Sequence, residues 1–162
     1  MTRRSFEGAT VLVTGAGGGL GRALALRFGA AGSNIVALDN HAGGIDSLAA
    51  ELSARGKACL PLPCDVTDAG ACSVAVAQAI ERFGSLDVLV NNAGMSHRSG
   101  FAVTGLDVIR RVMEVNFFGA VNCTKAALPH LVARRGLVVV ISSVAGFTPL
   151  VARTGYAASK HA

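Results

Sequence analysis

The sequence predicts a doubly wound α/β domain, a parallel sheet covered by helices on both faces. Three observations predict it. Short β-branched apolar runs recur along the chain, Ala- and Leu-rich stretches of helical length separate them, and the composition is that of a chain with a heavily buried sheet. Of the 162 residues 51% are hydrophobic, only 15% are charged and 20 are glycine, against about 25% charged residues in an average globular protein. Apolar segments must therefore alternate with tight turns.

Each element follows from its own pattern. The run Val11–Val13 is a strand with a helix over Leu20–Ala31 behind it; Ile35–Leu38 is the next strand and Gly44–Arg55 the next helix. Lys57–Pro63 is a weaker strand, and a helix over Asp68–Phe83 follows it. Leu86–Val90 is a fourth strand, succeeded by helical stretches over Thr104–Val115 and Phe117–Arg135, and Leu137–Ile141 is a fifth. The runs are continuously apolar rather than alternating, as in strands buried on both faces, and right-handed crossovers place the joining helices on those faces. No repeat, low-complexity segment or linker divides the chain, so residues 1–162 read as a single domain.

The formal charge of +5 comes mostly from scattered arginine pairs, Arg3-Arg4, Arg110-Arg111 and Arg134-Arg135. Without aromatic residues interleaved among them, they read as solvated surface and not as a nucleic-acid face. The positive excess suits an anionic dinucleotide. Cys59, Cys64, Cys72 and Cys123 form no Cys-x-x-Cys pair and no disulfide framework, which leads us to expect free thiols, no metal and a cytoplasmic protein. After Thr2–Phe6, which faintly resembles a twin-arginine signal, the apolar stretch Thr10–Thr14 is too short for an export signal. The longest uncharged stretch, Gly136–Ala152, holds Ser142, Ser143, Gly146 and Pro149 and suits a strand and loop better than a membrane span.

The first strand runs into Thr14-Gly15-Ala16-Gly17-Gly18-Gly19-Leu20-Gly21, and a helix begins at once. Positions without side chains let the backbone approach a pyrophosphate, whose charge then sits at the positive end of the helix. Glycines alone make a sharp turn equally well. The second strand, however, ends in Asp39, 24 residues after Gly15, about where a dinucleotide fold places the carboxylate that binds the adenosine ribose. Otherwise Asp39 is a turn former before Asn40. A carboxylate there repels a 2′-phosphate, and neither the loop from Gly15 to Gly21 nor the two positions after Asp39 offers a lysine or arginine to neutralise one, so NAD is favoured over NADP.

The spacing Thr14-Gly15-x-x-x-Gly19-x-Gly21 resembles the glycine pattern of the short-chain dehydrogenase/reductase family, and three further motifs agree. Asn91-Asn92-Ala93-Gly94 resembles the family segment that supports the sheet and lies along the cofactor. Asp65-Val66 resembles the adenine-contacting pair, although an Asp before Thr67 suits a helix cap equally well. Ser142-Ser143 is followed by Gly155-Tyr156-Ala157-Ala158-Ser159-Lys160, with Tyr156 13 residues after Ser143 and Lys160 four after Tyr156. Residues four apart share one helix face.

The resemblance implies a Rossmann-like fold and an NAD-dependent oxidoreductase that interconverts a secondary alcohol and a ketone or aldehyde. It assigns Asn116, Ser143, Tyr156 and Lys160 as catalytic, Asn116 through a backbone carbonyl that holds a relay water. Gly15, Gly19, Leu20, Gly21, Asp39, Asp65, Val66, Asn92, Ala93 and Gly94 become cofactor contacts, with Tyr156 and Lys160. The implied substrate is a small alcohol or carbonyl compound, and the implied assembly of a full-length form is a homodimer or homotetramer; the wall Met95–Phe101 and Ala145–Thr154, mixed in character, leads us to expect a substrate with apolar bulk. Family members continue beyond the lysine helix into further strands and a substrate loop, so the chain reads as C-terminally truncated. A dinucleotide-binding or interaction fragment without catalysis is therefore the second reading. A methyltransferase of similar fold accommodates the glycines but gives no reason for Ser143, Tyr156 and Lys160 together.

Overall fold

The computed structural model describes residues 5–162; the Arg3-Arg4 pair and most of the signal-like start lie outside the described residues. Five parallel strands form one sheet: β1 (Thr10–Thr14), β2 (Asn34–Asp39), β3 (Cys59–Pro63), β4 (Val88–Asn91) and β5 (Leu137–Val140), in the order β3-β2-β1-β4-β5. Helices α1 (Gly19–Ala30), α2 (Ala42–Ala54), α3 (Ala69–Phe83), α4 (Leu106–Met113), α5 (Gly119–Arg134) and α6 (Thr154–His161) connect and follow them. The expected doubly wound α/β fold is present.

Successive strand side chains alternate between two cores. Val11, Val13, Ile35, Ala37, Val88 and Val90 pack with Ala25 of α1 and Ile45, Leu48 and Leu52 of α2. Leu12, Val36, Leu38 and Leu89 face the other way, onto Cys72, Val76 and Ala79 of α3 and Cys123, Ala127 and Leu131 of α5. The central strands are buried on both sides, which is why their sequences are uninterruptedly apolar.

The weaker strand is real, and its position explains its weakness. β3 pairs only with β2 and carries Pro61 and Pro63, which an edge strand tolerates because one side of its backbone needs no ladder partner. β5 forms the other edge, with Val138 and Val140 44% and 61% exposed. Helix α3 starts at a cap made by Asp68, whose Oδ1 accepts from the amides of Gly70 and Ala71, and ends at Gly84 in the left-handed region at φ 78°.

The two helices expected over Thr104–Val115 and Phe117–Arg135 run on as one. After a 3₁₀ turn at Phe101–Val103, α4 begins at Leu106, and one π-helical segment, Glu114–Phe118, joins it to α5 without a break. Inserted π turns re-aim side chains and often occur at functional sites; here the turn carries Asn116.

Candidate functional site

Every predicted site residue lies at or beyond the carboxyl end of a strand, or on the helices that meet there. In an open parallel sheet that edge opens a crevice where the strand order reverses, here between β1 and β4. The crevice is knitted by one threonine. Thr14 Oγ1 accepts from the amides of Asn92 at 3.0 Å and Ala93 at 2.9 Å, and donates to the carbonyl of Val90 at 3.3 Å. Asn92 Nδ2 in turn donates to the carbonyls of Thr14 and Gly15 at 2.9 and 3.2 Å.

The glycine requirement is geometric. Gly15 has φ +66°, and a Cβ on it would stand 2.9 Å from Ala93 Cα; a Cβ on Gly21 would stand 2.1 Å from the carbonyl oxygen of Gly15. Both contacts are closer than real Cβ atoms approach, so the β1–α1 turn closes over Asn92 only without side chains. Around Gly18 and Gly19, by contrast, a Cβ meets nothing within 4 Å, and Gly19 and Leu20 are exposed at the start of α1. The turn is tight on its protein side and open on its outer side, the shape a bound pyrophosphate needs.

Asp39 stands beside this loop. Its Oδ2 accepts from the amide of Gly17 and its Oδ1 from the amide of His41, both at 2.9 Å. The turn-forming reading of Asp39 is thus present in the structure, together with a brace on the glycine loop. Each oxygen keeps acceptor capacity for a hydroxyl.

Asp65 follows β3 and does not cap α3, because Asp68 does. Asp65 Oδ1 accepts from the amide and the hydroxyl of Thr67 at 2.9 and 2.8 Å, and Oδ2 lies 3.4 Å from Arg111 Nη2. The Thr67 amide and hydroxyl, with Arg111, hold the Asp65 carboxyl below the usual range despite partial burial. Asp39, Asp65, Val66, Ala93, Gly94 and Arg111 line one cavity of about 200 Å³.

Asn116 is 8% exposed and clamps the segment after β4. Its Oδ1 accepts from the amide of Met95 at 2.8 Å, and its Nδ2 donates to the carbonyl of Met95 and to Ser159 Oγ, both at 2.9 Å. Ser159 Oγ donates to the carbonyl of Tyr156 at 2.8 Å, so the chain Met95–Asn116–Ser159–Tyr156 locks the π turn to α6. Ser143 caps the 3₁₀ turn Val144–Gly146, its Oγ accepting from the amide of Ala145 at 3.2 Å. A Cβ on Gly146 would stand 2.6 Å from the carbonyl oxygen of Lys160, which brings this turn flush against α6.

Lys160 Nζ lies 6.0 Å from the centroid of the Tyr156 ring, and it donates to the carbonyl of Ile141 at 2.9 Å. The lysine therefore anchors α6 to the end of β5, two residues before Ser143, as well as flanking the tyrosine. A larger cavity of about 350 Å³ lies between α5, the end of β5 and α6, lined by Asn116, Ser142 and Lys160 beside Phe117 and Leu128. Neither Ser143 nor Tyr156 lines it.

Sequence reasoning missed four participants. Thr14 and Ser159 sit inside the quoted motifs, but their roles depend on partners 78 and 43 residues away, and only the fold brings these together. Arg111 reads as part of a solvated pair. Arg153 lies over the Tyr156 ring, 5.9 Å from its centroid, and donates to Ser96 Oγ.

The four cysteines are free, as expected. Cys72 Sγ lies 3.6 Å from Cys123 Sγ, and that contact with burial pushes the Cys72 thiol up to about 12; burial pushes Cys59 up to about 11. Such thiols are inert. Among the described residues no cluster of His, Cys, Asp or Glu is placed to hold a metal ion, and no helix is long and apolar enough to cross a membrane.

The sequence model of the short chain dehydrogenase family matches residues 9–162. The dehydrogenase/reductase SDR family member 7B of Bos taurus is 44% identical over 99% of this chain, which covers 51% of that protein; member 7 of Homo sapiens is 38% identical over 94%, covering 46%. The chain thus spans about half the length of these curated relatives. A short chain dehydrogenase/reductase from Burkholderia phymatum, solved with NAD, superposes with a TM-score of 0.95 at 27% identity, over 98% of this chain and 57% of that one. A 7α-hydroxysteroid dehydrogenase, complexed with NADH and 7-oxo glycochenodeoxycholic acid, superposes with a TM-score of 0.92 at 29% identity, over 96% and 61%.

Proposed function

The chain belongs to the short chain dehydrogenase family, and we propose that it forms the cofactor-binding and catalytic part of an NAD-dependent oxidoreductase acting on a secondary alcohol or its carbonyl counterpart. The observation that carries this reading is the convergence of the open glycine turn, Asp39 and the cavity above Asp65 on one sheet edge, with Ser143, Tyr156 and Lys160 beside it. The residues fit a dinucleotide: the turn is closed to side chains on its inner face and open outward, and the two carboxylates that line the cavity keep acceptor capacity beyond their present partners.

A bound nicotinamide dinucleotide would supply the hydride donor or acceptor. Tyr156 would exchange the proton at the substrate oxygen, and Ser143 would hydrogen-bond that same oxygen and hold its carbon at hydride-transfer distance. The ammonium of Lys160, held by the carbonyl of Ile141 and 6.0 Å from the centroid of the Tyr156 ring, would donate to the ribose of the nicotinamide half. Asn116 keeps the Met95 segment and α6 in register, and its backbone carbonyl is the proposed holder of a relay water. Asp39 favours NAD, because a 2′-phosphate beside it meets a carboxylate, and neither the loop from Gly15 to Gly21 nor Asn40 and His41 supplies a lysine or arginine to neutralise one. Four free thiols fit a reducing, cytoplasmic setting, which we propose as the location.

The test is Tyr156→Phe against a panel of secondary alcohols, following reduced nicotinamide. Loss of the hydroxyl should lower turnover by at least about 10²-fold, the usual weight of a positioned proton donor, with NAD affinity unchanged within about twofold. A variant that keeps most of its turnover contradicts the proton-transfer role. Binding of NAD by a parent chain that turns over no alcohol favours the second reading, a dinucleotide-binding piece without catalysis of its own.

A further inference from the structure

Charge is divided unevenly along the chain. After Glu114 the sequence contains no aspartate or glutamate, whereas Lys125, Arg134, Arg135, Arg153 and Lys160 all follow it. Arg134 is paired with Asp87 at the far end of the sheet. Arg153 stands differently: it immediately precedes α6, in the stretch between Ser143 and Tyr156, and among the described residues no carboxylate pairs with it.

The guanidinium of Arg153 lies 5.9 Å from the centroid of the Tyr156 ring and donates to Ser96 Oγ. Ser96 and Arg153 belong to the two segments, residues 95–101 and 145–154, expected to wall the substrate. Fastening these segments does not require an arginine, because the amide of Ser99 donates to the carbonyl of Ala152 at 2.9 Å. Nor does Ser96 exhaust the group, since a guanidinium carries five N–H donors in a planar fork. Ser96 accepts from Arg153 and keeps its own proton to donate, so the pair offers a ligand a charge and a second donor. Met95, Leu150 and Val151 are exposed in the same segments and suit an apolar remainder.

We infer that Arg153 selects for substrates that carry an oxyanion, a carboxylate or a phosphate ester, a few bonds from the reacting carbon. This rests on the oxidoreductase reading above and adds a substrate class to it. With the substrate oxygen at Tyr156, the oxyanion accepts from the guanidinium beside that ring, and a charge-assisted bond of this kind is worth more than one between neutral groups. Arg153 is partly buried, which shields such a pair from salt more than open surface would.

The experiment compares two matched pairs of secondary alcohols on the NAD-loaded chain and its R153Q and R153K variants. One pair is β-hydroxyoctanoate and its methyl ester; the other is β-hydroxyoctyl phosphate and the unphosphorylated diol. The quantity read is the preference for the anionic over the neutral member of a pair, as kcat/KM or, without turnover, as affinity on titration. General damage to the site cancels in that ratio. Ligand-free thermal unfolding checks each variant, and R153M replaces R153Q if the latter unfolds early. The parent should prefer the anionic member of at least one pair by about tenfold or more, and the pair that shows it identifies the anion. R153Q, whose amide can still donate to Ser96, should abolish that preference, whereas R153K, which keeps the charge, should retain it in part. A parent without preference in either pair overturns the inference, as does R153Q with the parental ratio. R153K that loses the preference as fully as R153Q also overturns it, since packing on Tyr156 and not charge would then be responsible. A parent chain that does not bind NAD overturns the oxidoreductase reading itself.

Discussion

Thr14 and Asn92 are tied to each other in both directions: the hydroxyl of Thr14 accepts the amide of Asn92 at 3.0 Å, and the side-chain amide of Asn92 donates to the carbonyl of Thr14 at 2.9 Å. This reciprocal pair closes the gap between β1 and β4, where no helix crosses and a ligand crevice opens. It also sets the height of the glycine turn, since Asn92 Nδ2 reaches Gly15 as well.

Replacing Thr14 by the isosteric valine keeps the shape and removes the oxygen. The amides of Asn92 and Ala93 then lose their acceptor next to a buried strand end, at about 1–3 kcal/mol for each group left unsatisfied. Thr14→Val should lower unfolding stability by roughly 2–4 kcal/mol and weaken dinucleotide binding through the displaced turn. Denaturant unfolding with and without NAD checks both effects; a variant as stable as the parent removes Thr14 from the account.

Asp39 should decide between dinucleotides. Changing Asp39 to Ala and Asn40 to Arg removes the carboxylate that repels a 2′-phosphate and adds a cation to pair with one. NAD affinity should fall and NADP affinity rise, each by about tenfold or more, read by titration. Because Asp39 also braces Gly17 and His41, some loss of stability should accompany the change. Unaltered relative affinities would take Asp39 out of cofactor selection.

At the opposite end of the sheet, Asp87 should make the fold acid-sensitive. Burial alone would raise its carboxyl, but the Thr10 amide on Oδ2 at 3.0 Å and Arg134 on Oδ1 at 2.9 Å outweigh it and hold it below 3.8. The folded value is depressed, so this stabilisation is fully present above about pH 4 and is lost as the pH falls through the folded value. Asp87→Asn should cost about 1–3 kcal/mol at neutral pH and flatten the acid limb of stability against pH, with dinucleotide affinity unchanged. An acid limb identical to the parent's would locate the sensitivity elsewhere.

The fold was legible because the physics that shapes it is local. Val11–Val13 and Ile35–Leu38 are continuously apolar as strands buried on both faces must be, and the glycines at 15 and 21 stand where a Cβ would clash. Lys57–Pro63 gave a weaker signal because its prolines are tolerated only at an edge, and edge position is a property of the assembled sheet. The π turn at Glu114–Phe118 left no mark in the periodicity of its helix. The site was legible as motifs, but the bonds that organise it join Thr14 to Asn92 and Asn116 to Met95 and Ser159, across separations no spacing encodes. Lys160 illustrates the limit: its place one turn beyond Tyr156 was readable, whereas its bond to Ile141 depends on where β5 ends.

The central claim is a folded dinucleotide site with a preference for NAD, and thermal unfolding of the chain alone, with NAD and with NADP tests it most directly. A ligand that binds only the native state raises the transition, by about 2.7 kcal/mol of added stability at a hundredfold excess over its dissociation constant. The account predicts one cooperative transition, raised most by NAD and less by NADP at equal concentration. A transition that neither dinucleotide moves would contradict it.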